Sequence, residues 1–152
     1  MKKSNNIIKY KILINVVIYM CIFCEGISEN QKLLETQYFY VVYDIDPIQY
    51  GHLLIISNNH FEDIRDLEED VCLELFKIEK YLISILEDVF KVDGVTIVRN
   101  NGNIMDEGLH FHQHIIPRYE RDGFWDNFKT SGRKIDTRSL KNKIQEYKKV
   151  ME

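Results

Sequence analysis

His110-Phe111-His112-Gln113-His114-Ile115-Ile116 alternates histidine with another residue, then turns apolar just before Pro117. Side chains of a β-strand point alternately to opposite faces, so histidines at i, i+2 and i+4 share one face. Their Cα atoms then stand about 6.6 Å apart, and the outer two about 13 Å apart. A zinc ion reaches an imidazole nitrogen at about 2.0 Å, so one ion can join two neighbours of such a row but hardly all three. The spacing therefore implies divided roles. Three of the chain's five histidines fall within five residues, which argues against unrelated strand histidines.

Upstream of this strand, which Pro117 is expected to end, the pattern reads as more strands and one helix. Lys32 to Glu35 is a short strand candidate. Tyr38 to Ile45 is rich in aromatic and β-branched residues and reads as a strand. Asp46-Pro47 and Gly51 mark the turn that follows, and His52 to Ser57 is the next strand. Asp66 is expected to cap a helix from about Leu67 to Phe90, with Glu69 completing a capping box. Val71, Leu75, Ile78, Leu82, Ile85 and Val89 step by fours and threes, which makes one apolar stripe. Cys72 sits beside that stripe as a partly buried thiol. Asp93-Gly94 turns the chain into a strand over Val95 to Val98. The order implies an α+β class: a largely antiparallel sheet of about five strands, one long helix and a short C-terminal helix.

Composition limits what such a fold can do. The chain has 152 residues, 45% hydrophobic and 29% charged, an ordinary globular balance with room for one core. A net charge of -4 argues against broad nucleic-acid binding, which needs a basic face. It leaves room for a small phosphorylated ligand met by local positive groups. Three cysteines are too few for a disulfide scaffold. Cys21 and Cys24 form a C-x-x-C pair, for which metal binding and redox chemistry are the two readings. A thioredoxin-like motif would open a helix after a strand in a βαβ unit, and that pattern is absent.

The first residues stand apart. Lys2, Lys3, Lys9 and Lys11 precede an uncharged run from Ile12 to Cys24, 13 residues long. That is short of the ~20 that span a bilayer. A basic start before a short apolar run looks like a signal peptide, yet no small-x-small cleavage site follows. Cleavage beyond the run would also remove Cys21 and Cys24.

His110-x-His112-x-His114, followed by two apolar residues and Pro117-Arg118, resembles the signature of the histidine-triad (HIT) family. Other segments agree in order and spacing: Asp44-Ile45, Gly51-His52, Asn100-Asn101-Gly102 and Asp122-Gly123-Phe124. The resemblance spans about residues 20 to 130. Met20-Cys-Ile-Phe-Cys24 is similar to the usual opening of a bacterial member. On that reading residues 1–19 are a dispensable or misassigned extension and residues 20–152 form a HIT domain.

The resemblance implies a chemistry. Neutral imidazole is a good nucleophile near pH 7 because its unperturbed pKa is about 6.5. Attack on phosphorus gives a nucleotidyl-imidazole and divides one hard displacement into two easier ones. The resemblance places the nucleophile at His112, with its second ring nitrogen held by the backbone carbonyl of His110. His114 and His52 would surround the phosphate and donate hydrogen bonds, His114 also assisting the leaving group. Asp44 would meet ribose hydroxyls, Asn100 a phosphate or ribose oxygen, and Ile22, Phe23 and Ile45 the base. From the residues alone, these five also read as core or turn formers. No catalytic metal is required.

The family likeness also implies a structural zinc on Cys21, Cys24, His60 and His110, closed because all four ligands come from protein. One departure stands out. Relatives carry Gly-Gln-Ser/Thr shortly before the triad, where this chain has Met105-Asp106-Glu107-Gly108-Leu109. Two carboxylates there would repel phosphate unless they point away or are protonated. The implied activity is release of a nucleoside monophosphate from a dinucleoside polyphosphate or phosphoramidate. The alternative is a zinc-containing nucleotide-binding protein with little turnover. A homodimer and a cytoplasmic location, where reduced thiols can bind zinc, complete the expectation, with no nucleic-acid or membrane partner.

Overall fold

The computed structural model describes residues 10–13, 16–129 and 131–151. The chain divides into two compact units, one through Glu120 and one from Arg121 onward.

In the first unit, β1 (Tyr10–Leu13) pairs antiparallel with β2 (Val16–Tyr19) in a sheet of its own. Lys2, Lys3 and Lys9, the basic start of the signal-like pattern, lie outside the described residues. A single helical turn follows, α1 (Ile22–Glu25), then β3 (Leu34–Glu35), β4 (Phe39–Tyr43) and β5 (Leu53–Ser57). The long helix α2 (Glu69–Ser84), β6 (Gly94–Val98) and β7 (His112–Arg118) complete the unit. The main sheet has five strands in the order β3-β4-β5-β7-β6, and every neighbouring pair is antiparallel. The second unit holds a short 3-10 turn at Phe124–Asn127 and the helix α3 (Thr137–Met151).

Burial explains why β4 and β5 read as near-continuous apolar runs: both faces are covered. Phe39, Val41, Leu53 and Ile55 pack on Val71, Leu75, Ile78 and Leu82 of α2. On the opposite face, Tyr40, Val42, Leu54 and Ile56 form a second cluster with Phe23 and Ile27. Leu54 is the Cα partner of His114, and Ile56 of His112. Cross-strand partners share a face, so these two histidines lie on the side away from α2. Phe111 and Ile115 point into the α2 core instead.

Three expectations need correction. The helix start is not capped by Asp66 with Glu69. Asp63 caps a separate 3-10 turn at Ile64–Asp66, and Asp66 is the reciprocal partner of its capping box. The turn intervenes because Asp63 already binds two segments: its carboxylate accepts from the Arg65 and Gly102 backbone N–H groups. At its other end α2 widens into a π turn over Ile85–Val89, with the Phe90 N–H reaching the Ile85 carbonyl. Leu86, four residues after Leu82, is buried by ordinary helical spacing, and the extra residue in the turn beyond it leaves Val89 67% exposed. The apolar stripe therefore ends at Leu86 rather than continuing through Ile85 and Val89.

The last strand of the sheet is also displaced. It begins at His112 and runs through Pro117 to Arg118. Asp93 donates its N–H to the Arg118 carbonyl, so the polar groups of residue 118 face β6 and those of residue 117 face the other way. There the β5 ladder has already ended, at the Leu53–Ile115 pair. The missing N–H of Pro117 breaks no ladder. No helix among the described residues is long and apolar enough to cross a membrane.

Candidate active site

His110 stands outside the strand that carries His112 and His114. The backbone of Phe111 is held by two carbonyl and amide partners, its N–H donating to Phe61 O and its carbonyl accepting from the Ser57 N–H. From there the His110 ring reaches Cys21, Cys24 and His60.

Four donors meet there. His110 Nδ1 lies 3.2 Å from Cys21 Sγ and 3.4 Å from Cys24 Sγ, and His60 Nδ1 lies 3.3 Å from Cys24 Sγ. All four ligand atoms lie within 4.8 Å of one another. His110 Nε2 donates to the Ser57 carbonyl at 2.7 Å, which keeps the proton on Nε2 and leaves Nδ1 a lone pair. Burial pushes the His110 ring down to about 4, so it is neutral near pH 7. Two thiols and two imidazoles at these separations suit a tetrahedral zinc ion with no open position.

The same residue bridges to His112 through its backbone. His112 Nδ1 donates to the His110 carbonyl at 2.8 Å, which assigns the proton to Nδ1 and leaves Nε2 unprotonated. His112 is 5% exposed, and burial holds its pKa below the ordinary histidine value. The bond to His110 pulls upward, as do the charges of Asp106 and Asp44, but burial prevails. The Phe23 ring meets His110 and His112 edge-on, with centroids 5.5 Å and 5.1 Å away. Tyr40 anchors that segment by donating its hydroxyl to the Phe23 carbonyl, and the Ile22 N–H bonds Gly108 O in the loop before the triad.

His114, His52 and Asp44 form a second group. The Ile48 N–H donates to His52 Nδ1 at 3.2 Å, so a neutral His52 carries its proton on Nε2. That proton reaches His114 Nδ1 at 3.0 Å, which leaves the proton of a neutral His114 on its own Nε2. The His114 ring lies 5.0 Å from the His112 ring. Asp44 Oδ2 lies 3.4 Å from His52 Nδ1 and 3.6 Å from His114 Nδ1. Burial tends to raise the Asp44 carboxyl, but the His114 contact and the Asp46 N–H outweigh it, and its pKa is lowered. His52 is shifted down, chiefly by burial.

The remaining expected residues are less gathered. Ile22 is 37% exposed and Ile45 79% exposed, so neither is plain core. Among the described residues no hydrogen bond joins the Asn100 side chain to the histidines, although its neighbour Asn101 accepts from the Ile64 N–H. Sequence reasoning missed Ser57, Ile48 and Tyr40. Ser57 and Ile48 act through backbone atoms, which leave no side-chain signature. Tyr40 was readable only as one aromatic of a strand.

Comparison with known proteins identifies the family. The HIT domain family model matches residues 25–121. An adenosine 5'-monophosphoramidase of Saccharomyces cerevisiae is 35% identical over 108 residues, 68% of this chain and 66% of that protein. The crystal structure of a HIT family protein from Bacillus subtilis superposes with a TM-score of 0.66 at 28% identity, covering 85% of this chain and 95% of that one. A zinc-bound histidine triad family protein from Mycobacterium smegmatis gives a TM-score of 0.58 at 25% identity, covering 76% and 83%. Its α+β fold and the domain match together establish that the chain belongs to the HIT domain family.

Proposed function

We propose that the chain is a nucleotidyl hydrolase or transferase that passes a nucleoside 5'-monophosphate through a covalent bond to His112. The observation that carries this reading is the buried His112 ring, with Nδ1 on the His110 carbonyl at 2.8 Å and Nε2 left as a lone pair. Nε2 attacks phosphorus, and the bond from phosphorus to the leaving group breaks. The leaving group departs hydrogen-bonded to His114 Nε2–H and takes its proton from solvent. A water then attacks the nucleotidyl-imidazole, loses its proton to solvent and releases the nucleotide with His112 restored. His52 acts through its hydrogen bond to His114, which fixes the tautomer that can donate. Asp44 receives ribose hydroxyls, and Ile22, Phe23 and Ile45 flank the base. Asn100 completes the nucleotide contacts.

The yeast relative is named for cleaving an adenosine monophosphoramidate, which supports a nucleotide with a nitrogen or oxygen leaving group. Cys21, Cys24, His60 and His110 would hold a zinc ion, and the zinc-bound relative supports that assignment. Such an ion supplies no step of the reaction. It ties the opening segment to the residue whose carbonyl orients His112. In this reading the protein works in the cytoplasm as a homodimer, and residues 1–19 take no part in the chemistry.

A second reading is a nucleotide-binding protein with little turnover. Asp106 and Glu107 favour it, because the negative charge of Asp106 reaches His112 and opposes a phosphate there. Assay of adenosine phosphoramidate and diadenosine polyphosphates separates the two. The enzyme reading expects turnover that His112→Ala abolishes with folding intact. Nucleotide binding without turnover in the wild type would instead establish the second reading.

A further inference from the structure

The acceptors around Asp44 outnumber the donors. His52 Nδ1 already accepts from the Ile48 N–H, and His114 Nδ1 accepts from His52 Nε2. In the neutral rings both Nδ1 atoms therefore turn lone pairs toward a carboxylate oxygen 3.4 Å and 3.6 Å away. Three lone-pair atoms, one on an ionised acid, converge without a hydrogen between any Nδ1 and the carboxylate. Such a triangle attracts ribose hydroxyls, and it attracts a cation equally well.

We propose that Asp44, His52 and His114 form a second metal site, for a divalent transition ion of the zinc class, and that an ion held there excludes nucleotide.

The donor set selects the ion. One carboxylate and two imidazoles suit zinc, cobalt or copper, whereas magnesium and calcium prefer all-oxygen sites. Donor atoms of the three residues lie within 4.8 Å of one another. An ion at ~2.0–2.2 Å from each donor holds tetrahedral donors about 3.3–3.6 Å apart, which the 3.4 Å and 3.6 Å separations of Asp44 Oδ2 from the two Nδ1 atoms match. It takes Asp44 Oδ2, His52 Nδ1 and His114 Nδ1, the three atoms whose lone pairs already converge. His52 keeps its proton on Nε2, so both rings stay neutral and no net proton is released. The Ile48 N–H then turns to water, which its exposure allows, since Ile48 is 63% exposed.

Three protein ligands leave a position open, unlike the closed cysteine-histidine quartet. The two sites also differ in softness, since the quartet offers two thiols and this one none. The first ion to bind therefore fills the quartet, and the second fills the histidine-carboxylate site. Occupation removes Asp44 from ribose and ties up the ring proposed to assist the leaving group. The exclusion of nucleotide, though not the metal site, rests on the nucleoside placement given above.

Equilibrium dialysis of the full chain against Zn2+, with Co2+ spectra in parallel, tests the proposal. The wild type is expected to bind a second equivalent, and its Co2+ form should add absorption free of thiolate charge transfer. Asp44→Asn and His114→Gln should each weaken only that equivalent, by more than the ~10–100-fold that loss of an outer-shell partner costs. Their retained first equivalent reports an intact fold. Cys21→Ser with Cys24→Ser should lose the first equivalent and keep the second. A wild type that stops at one equivalent, or a second equivalent untouched by both Asp44→Asn and His114→Gln, overturns the site. Added adenosine monophosphate should displace the second ion and spare the first. If it displaces neither while the stoichiometry holds, the exclusion fails together with the nucleoside placement at Asp44, and the metal site stands.

Discussion

At His112 two pressures oppose each other. Removal from water favours the neutral ring, and the hydrogen bond to the His110 carbonyl favours the charged one; burial prevails and the pKa falls. In the proposed reaction the neutral ring is the nucleophile, so lowering its pKa keeps it competent under more acidic conditions. The acid limb of kcat/KM is expected to lie below the ordinary histidine value of about 6.5. A pH–rate profile on adenosine phosphoramidate checks this, and an acid limb above that value would contradict it. The histidine spacing made the shared face legible at this scale, because i, i+2 periodicity alone puts His112 and His114 on one side of the strand. It did not reveal that the strand begins only at His112, with His110 outside it. That depends on backbone bonds from Phe111 to Ser57 and Phe61, which no side chain announces. Nor did it reveal the His52–His114 contact, made across 62 residues of sequence.

The elements were readable wherever one periodicity held without interruption. β4 and β5 follow from their β-branched and aromatic runs, and α2 from its apolar stripe as far as Leu82. Beyond Leu82 the stripe misleads, because periodicity assumes a constant turn and the π turn at Ile85–Val89 adds a residue. Stability measurements can check the shifted register. Leu86→Ala removes a side chain packed in the α2 core and is expected to cost roughly 2–5 kcal/mol. Val89→Ala should change stability by less than about 0.5 kcal/mol, because Val89 faces solvent. Equal costs at the two positions would restore the unbroken stripe. α1 is held by a different constraint. A Cβ on Gly26 would sit 2.6 Å from the Ile22 carbonyl oxygen, too close for any side chain without moving the turn that carries Phe23 and Cys24.

Across the whole molecule, the site histidines make folding sensitive to acid. His52, His110 and His112 all have lowered pKa values, burial being the largest cause of each. The unfolded chain therefore takes up these protons first as the pH falls. Stability should decline from about 6.5, where unfolded histidine titrates, down to about 4, where folded His110 also protonates. Protonation of the proposed zinc ligands would act in the same direction. Urea midpoints across that window should fall steadily with pH, and a flat series would contradict the burial argument. The sheet and long helix were legible from sequence because each pattern is local. The division at Glu120 was not, since no linker composition marks it. The central claim, that His112 carries the nucleotide, is tested most directly on the intact chain. Rapid acid-free quenching during turnover of adenosine phosphoramidate, followed by intact-mass and fragment-ion spectrometry, should find a nucleotidyl group on His112. Turnover with no adduct, or with the adduct on another residue, would contradict the account.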